Sequence, residues 1–138
     1  MTPEQEALGR RAVACPGWRW MRGCPWERLP SGAPDDGGDR GEANWKHDPP
    51  FGALPDLSEP AGVGCLVALA REALEDPGAY ACVHQHGWSV QTEMGYHVLY
   101  PDGRFDDWTW GDAIVEPSEP AVWVAALEAA GRKDASRI

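Results

Sequence analysis

The chain has 138 residues and carries 12 Lys and Arg against 22 Asp and Glu, for a formal net charge of −10. That length suits one domain, residues 1–138, able to bury a real core. The charge opposes direct nucleic-acid binding, which needs Lys and Arg against phosphates, and opposes an anionic membrane surface.

Residues 3–14 are predicted to form a helix, with Thr2 as N-cap, Pro3 at the first helical position and Glu4 and Glu6 at its positive end. Leu8, Ala12 and Cys15 fall on one side, and Pro16-Gly17 stops it. Trp18 to Arg22 alternates and reads as a short strand. Residues 30–53, dense in Pro, Gly and Asp, read as one long loop, with Trp45 placed to pin it.

The next helix is expected to start at Ser58 as N-cap, with Glu59 and Pro60 in its first turn. Val63, Leu66, Val67, Ala70 and Leu74 recur at helical spacing as one buried stripe. Four strands are expected after it: Tyr80 to His86, Trp88 to Thr92, Tyr96 to Tyr100 and Arg104 to Trp110. Pro101-Asp102-Gly103 gives the last pair a hairpin turn. A final helix opens on Ser118-Glu119-Pro120-Ala121, a repeat of Ser58-Glu59-Pro60-Ala61 that is one capping solution used twice. Trp123, Leu127 and Ala130 share a side of it, Gly131 is expected as its C-cap, and residues 132–138 as a frayed tail. The fold class is α+β: two or three helices packed on a small antiparallel meander.

Three blocks carry a resemblance: Gly9 to Met21 (GRRAVACPGWRWM), Leu54 to Leu57 (LPDL) running into Gly64 to Ala73 (GCLVALAREA), and Val124 to Ala130 (VAALEAA). In this order they resemble a family of small uncharacterised proteins found in bacteriophage and metagenomic sequences. The resemblance covers about a third of the chain and implies a phage-related origin and a small α+β fold. It implies no activity, so it assigns no catalytic residue.

No run reaches the roughly 18 apolar residues of a membrane span, and the N-terminus has neither the basic nor the apolar region of a signal peptide. The expected location is therefore the cytoplasm, that of the host cell if the protein is phage-encoded. The thiols of Cys15, Cys24, Cys65 and Cys82 are then expected to be reduced.

Cys82, His84, His86 and Trp88 fall at every second position, so a regular strand would set them on one face. Such N and S donors suit zinc, with His97 or Asp106 as a fourth ligand. Ligands two apart on a flat strand point in parallel, however, and the spacing matches no established zinc pattern. The plainer account has two histidines on a solvated face, Cys82 packed inward and no cofactor.

The chain holds eight Trp and only two Phe. Trp18 and Trp20, with Trp108 and Trp110, form two Trp-x-Trp pairs. If their strands paired, four indoles would line one surface, fit to stack on a planar ligand or anchor a partner. The alternative is that at least two of them fill the core. Asp106 and Asp107 are strand neighbours that point apart, so they read as solvated charges that would favour a basic partner. No nucleophile elbow or phosphate-binding loop is present.

The expected function is a small non-enzymatic binding protein, in the manner of a phage accessory protein that engages a host protein or small molecule. The alternatives are a metal-dependent hydrolase using Cys82, His84 and His86, and a minor virion structural or assembly protein.

Overall fold

The computed structural model describes residues 1–44, 46–95, 97–109 and 111–136, the last without its side chain. The expectations placed on Trp45, Tyr96 and Trp110 lie outside the described residues. Among the described residues, three helices and two small antiparallel sheets make up the α+β architecture.

Helix α1, Pro3–Val13, begins as its sequence dictates. The Thr2 hydroxyl accepts from the Gln5 N–H at 3.1 Å, and the Gln5 side chain accepts from the Thr2 N–H at 2.9 Å. This reciprocal box satisfies two donors that a helix start otherwise leaves open. Ala12 is fully buried, and Arg11 reaches Glu128 at 2.6 Å.

Trp18 to Arg22 is not a strand. Turns close on both sides of it, with the Trp18 N–H donating to Cys15 and the Cys24 N–H donating to Met21. The segment between is too short to pair. Strand β1 comes later, at Pro25–Arg28, and pairs with β2, Asp39–Glu42, and β3, Leu54–Pro55, in the order β2-β1-β3. The stretch 30–53 is therefore not one loop, since β2 lies within it. Asp36 folds the β1–β2 connection by accepting from Arg28 at 2.9 and 3.0 Å, from the Ser31 N–H at 2.8 Å and from the Gly38 N–H at 3.0 Å. Gly38 takes φ +77°, and a Cβ there would stand 2.6 Å from the Arg28 carbonyl.

Helix α2, Pro60–Ala73, has Glu59 as its N-cap, with no side-chain bond. Ser58 does not cap it, because Asp56 takes both its N–H, at 3.1 Å, and its hydroxyl. Leu66, Ala70 and Leu74 are buried as expected, and Leu69 joins them. Val63 and Val67 are only half-buried and lie at the margin of the core.

The second sheet is the expected meander. β4, Tyr80–His84, β5, Gly87–Gln91, β6, Val98–Leu99, and β7, Phe105–Asp106, pair in chain order. The last two strands are shorter than their sequence suggested, and His86 sits in the β4–β5 turn rather than in a strand.

Helix α3, Glu119–Ser136, starts with the Ser118 hydroxyl accepting from the Ala121 N–H at 3.3 Å. Every residue from Ala121 to Leu127 is buried, as expected of a helix enclosed on all sides. α1, α2, β4 and β5 all pack on it. Gly131 does not end it, and the helix continues to Ser136 through part of the tail expected to fray. A Cβ at Gly131 would lie 3.3 Å from the Pro16 ring, so this glycine serves close packing against the α1 turn.

Candidate ligand groove

The β4–β5 register fixes which side chains share a face. Tyr80 pairs with Gln91, Cys82 with Ser89 and His84 with Gly87, whereas Ala81 pairs with Val90 and Val83 with Trp88. Directly paired residues project to the same side, and neighbours along a strand to opposite sides. Ala81, Trp88 and Val90 belong to the core around α3. Cys82, His84, Ser89 and Gln91 therefore face away from α3, where they line a groove of about 540 Å³. His86 joins from the turn, Val98 from β6, His97 from the residue before it, and Trp108 from beyond β7.

Three of the chain's four histidines line this groove. Trp108 stands edge-on to His84, with ring centroids 5.3 Å apart and planes at 84°. His84 Nδ1 faces the His86 N–H at 3.4 Å, which assigns its proton to Nε2. That Nε2 is shielded from solvent and has no hydrogen-bond partner. Ser89 is fully buried, and its hydroxyl also lacks a partner. A buried polar group left unpaired costs about 1–3 kcal/mol, so the groove floor holds two costly atoms on one face.

Among the described lining residues there is no Lys, Arg, Asp or Glu. Gln85 approaches His86 Nε2 at 3.1 Å, and His97 Nε2 lies 3.3 Å from Asp107 at the rim. A wider depression of about 640 Å³ runs along α2 past Val63 and Val67. None of the unpartnered buried polar atoms belongs to its lining.

Cys82, His84 and His86 do reach a common groove but do not form a ligand set. Among the described residues no three His, Cys, Asp or Glu side chains come together to hold a metal ion. The alternation ends at His84 because the chain turns before His86, so Trp88 turns to the core side instead of joining the histidines, and Cys82 faces the groove rather than packing inward. The two imidazole centroids stand 6.2 Å apart, and the Cys82 thiol faces the Val83 carbonyl at 3.9 Å.

Of the tryptophans singled out by sequence, only Trp108 lies in the groove among the described residues. Trp18 and Trp20 pack edge-on at 5.3 Å, and Trp18 rests against the core. They belong to neither sheet, so the strand pairing that would have joined them to Trp108 is absent. Asp106 is bound locally, accepting from the Asp107 N–H at 2.8 Å, with Arg104 at 3.8 Å. Asp107 is solvent-exposed, and its carbonyl accepts from the Tyr100 hydroxyl. The two carboxylates do not converge on a site.

Comparison with family models, curated proteins and solved structures returns no match. The bacteriophage resemblance gains no support from this, and the groove alone carries a functional reading. Ser89 and Gln91 were not singled out from the sequence. Their signal was present in the two adjacent strands, because a tight turn after His84 sets Ser89 opposite Cys82. No helix among the described residues is long and apolar enough to cross a membrane.

Proposed function

We propose that this is a binding protein without catalytic chemistry of its own, and that a small molecule occupies the groove on the open face of β4–β7. The observation that carries this reading is the pair of buried, unpartnered polar atoms, Ser89 Oγ and His84 Nε2, beneath an aromatic wall formed by Trp108. A space of about 540 Å³ falls within the roughly 300–1,000 Å³ of small-molecule sites, which pair an apolar lining with a few placed polar groups. Trp108 offers a large apolar ring while 38 % exposed, so it can contact a ligand without being essential to the core.

The test is amide and indole NMR of the protein with uncharged, anionic and cationic bicyclic aromatic compounds. Ligands should shift the signals of Ser89, Gln91 and the Trp108 indole. Trp108→Ala should cost about 2 kcal/mol or more of affinity, as at an interface hot spot, with little change in the unfolding midpoint. Signals unmoved at millimolar compound, or a Trp108→Ala protein that loses its fold, would overturn the reading.

A protein partner is the second reading, favoured by the exposed apolar residues around the same rim. Met94 adjoins Gly95 at one end. Val115 shares a second depression with His86 and Trp108 at the other. Under that reading no compound shifts the groove signals, and Val115→Ser weakens capture of the partner.

A further inference from the structure

The two unpartnered atoms also restrict the chemistry of the ligand, an argument that rests on the groove being the binding site. With Nδ1 turned to the His86 N–H, His84 offers a proton at Nε2, and a serine hydroxyl donates one O–H. Ser89 lies across from Cys82, and Cys82 is two residues from His84 on the same face. The two donors are thus diagonal neighbours across adjacent strands, a separation that side chains span. The His84 proton requires an acceptor, and the Ser89 hydroxyl can donate to the same atom.

Charge narrows the choice further. A ligand anion would find no Lys or Arg among the described lining residues, and it would approach a protein of net charge −10. A cation would be drawn by the overall field but has no carboxylate in the described lining and would meet the His84 proton. An uncharged acceptor faces neither penalty. The rest of the site is an indole edge-on to an imidazole, with Val98 beside it, which suits a flat ring. Both polar atoms are shielded from solvent, so the ligand must displace a lining side chain to reach them, and Trp108, 38 % exposed, stands at the solvent side of the groove.

We infer that the groove takes an uncharged, planar heteroaromatic ligand bearing a carbonyl-type acceptor, which receives hydrogen bonds from Ser89 and His84 while its ring lies against Trp108. This assigns opposite roles to the Ser89 hydroxyl in the two states. In the ligand-free protein it is an unsatisfied buried group whose removal is neutral or stabilising. In the complex it is a bonded donor whose removal weakens binding.

The experiment titrates quinolin-2-one, 1-naphthoate and 1-naphthylmethylammonium, as uncharged, anionic and cationic probes, into the wild type and into Ser89→Ala and His84→Phe. The readouts are NMR shifts, calorimetry and thermal unfolding. Quinolin-2-one should bind the wild type most tightly. Each substitution should weaken it by about fivefold to tenfold, the effect of one hydrogen bond. Ser89→Ala should unfold at the same or a higher temperature than the wild type. If either charged probe occupies the groove more tightly, or Ser89→Ala binds quinolin-2-one unchanged, the ligand class is wrong while the groove remains the site. A Ser89→Ala protein that is less stable would show the hydroxyl to be structural and overturn the inference. If no probe moves the groove signals, the groove reading falls together with it.

Discussion

Burial pushes the Cys15 thiol up from its usual value to about 11, and pushes Cys24 up to about 12, where the neighbouring Cys65 thiol adds to the effect. The thiolate is the reactive form, so both residues should be inert near pH 8. Cys65 and Cys82 are only half-buried and should react first. With a maleimide at that pH, peptide mass spectrometry should find label on Cys65 and Cys82 in the folded protein, and on Cys15 and Cys24 only after denaturation. Early labelling of Cys15 would contradict its burial in the core. At this scale the sequence was partly legible. His84 and Trp108 stood out as chemistry-bearing residues, but Ser89 did not. A serine declares no function by its type, and only the pairing of two strands shows that its hydroxyl is buried and unmatched.

In the β1–β2 hairpin Asp36 and Asp39 both hold Arg28, and Asp36 also gathers the backbone of the connection. The Arg28 guanidinium, then the Ser31 and Gly38 groups, hold the Asp36 carboxyl far below the usual carboxylate range. A group whose folded pKa is lowered contributes stability that is complete above its unfolded pKa, about 3.9, and is lost as pH falls below that toward the folded value. Amide exchange in residues 25–42 should therefore quicken as pH drops below about 4 by more than intrinsic exchange accounts for. Asp36→Asn should flatten that acid dependence and leave a less protected hairpin at neutral pH. An unchanged acid profile in the variant would show that Asp36 does not hold the connection. Elements with a local code were legible: the Thr2 cap, the Ser118 cap and the Pro101-Asp102-Gly103 turn all form from residues a few positions apart. Elements decided by distant partners were not. α2 is apolar on more than one side, with Val63, Val67 and Leu69 all available, and only the packing of α3 selects Leu69. Gly131 has the composition of a cap, yet it is set by contact with Pro16.

For the whole molecule, α3 is the common surface on which α1, α2 and the meander assemble. Trp123, at 1 % exposure, is the largest fully buried side chain, and Arg71 lies 5.9 Å from its ring centre. Trp123→Ala should cost about 3–5 kcal/mol, a large part of the roughly 5–15 kcal/mol that holds a domain folded. Denaturant unfolding followed by circular dichroism should show the midpoint fall sharply. A loss below about 1 kcal/mol would mean that α3 is not the centre of the core. The α+β class was readable because helical and alternating patterns occupy separate stretches of the chain. The division of strands into two sheets was not, since β2 and β3 are short and lie in a region whose composition resembles a loop.

The meander has one more consequence. Its groove residues and its core residues are interleaved, so that Ser89 and Gln91 alternate with Trp88 and Val90 in a single strand. Recognition and folding are thus written in alternate letters of one word. Substitution at a groove position changes what the open face presents and leaves the helix-facing letters untouched. Insertion or deletion of a single residue within the strand exchanges the two sets, carrying Ser89 beneath α3 and Val90 out to the groove. Divergence of this face by point replacement is therefore permitted, whereas any change of odd length within β5 would cost the protein its ligand site and its core together.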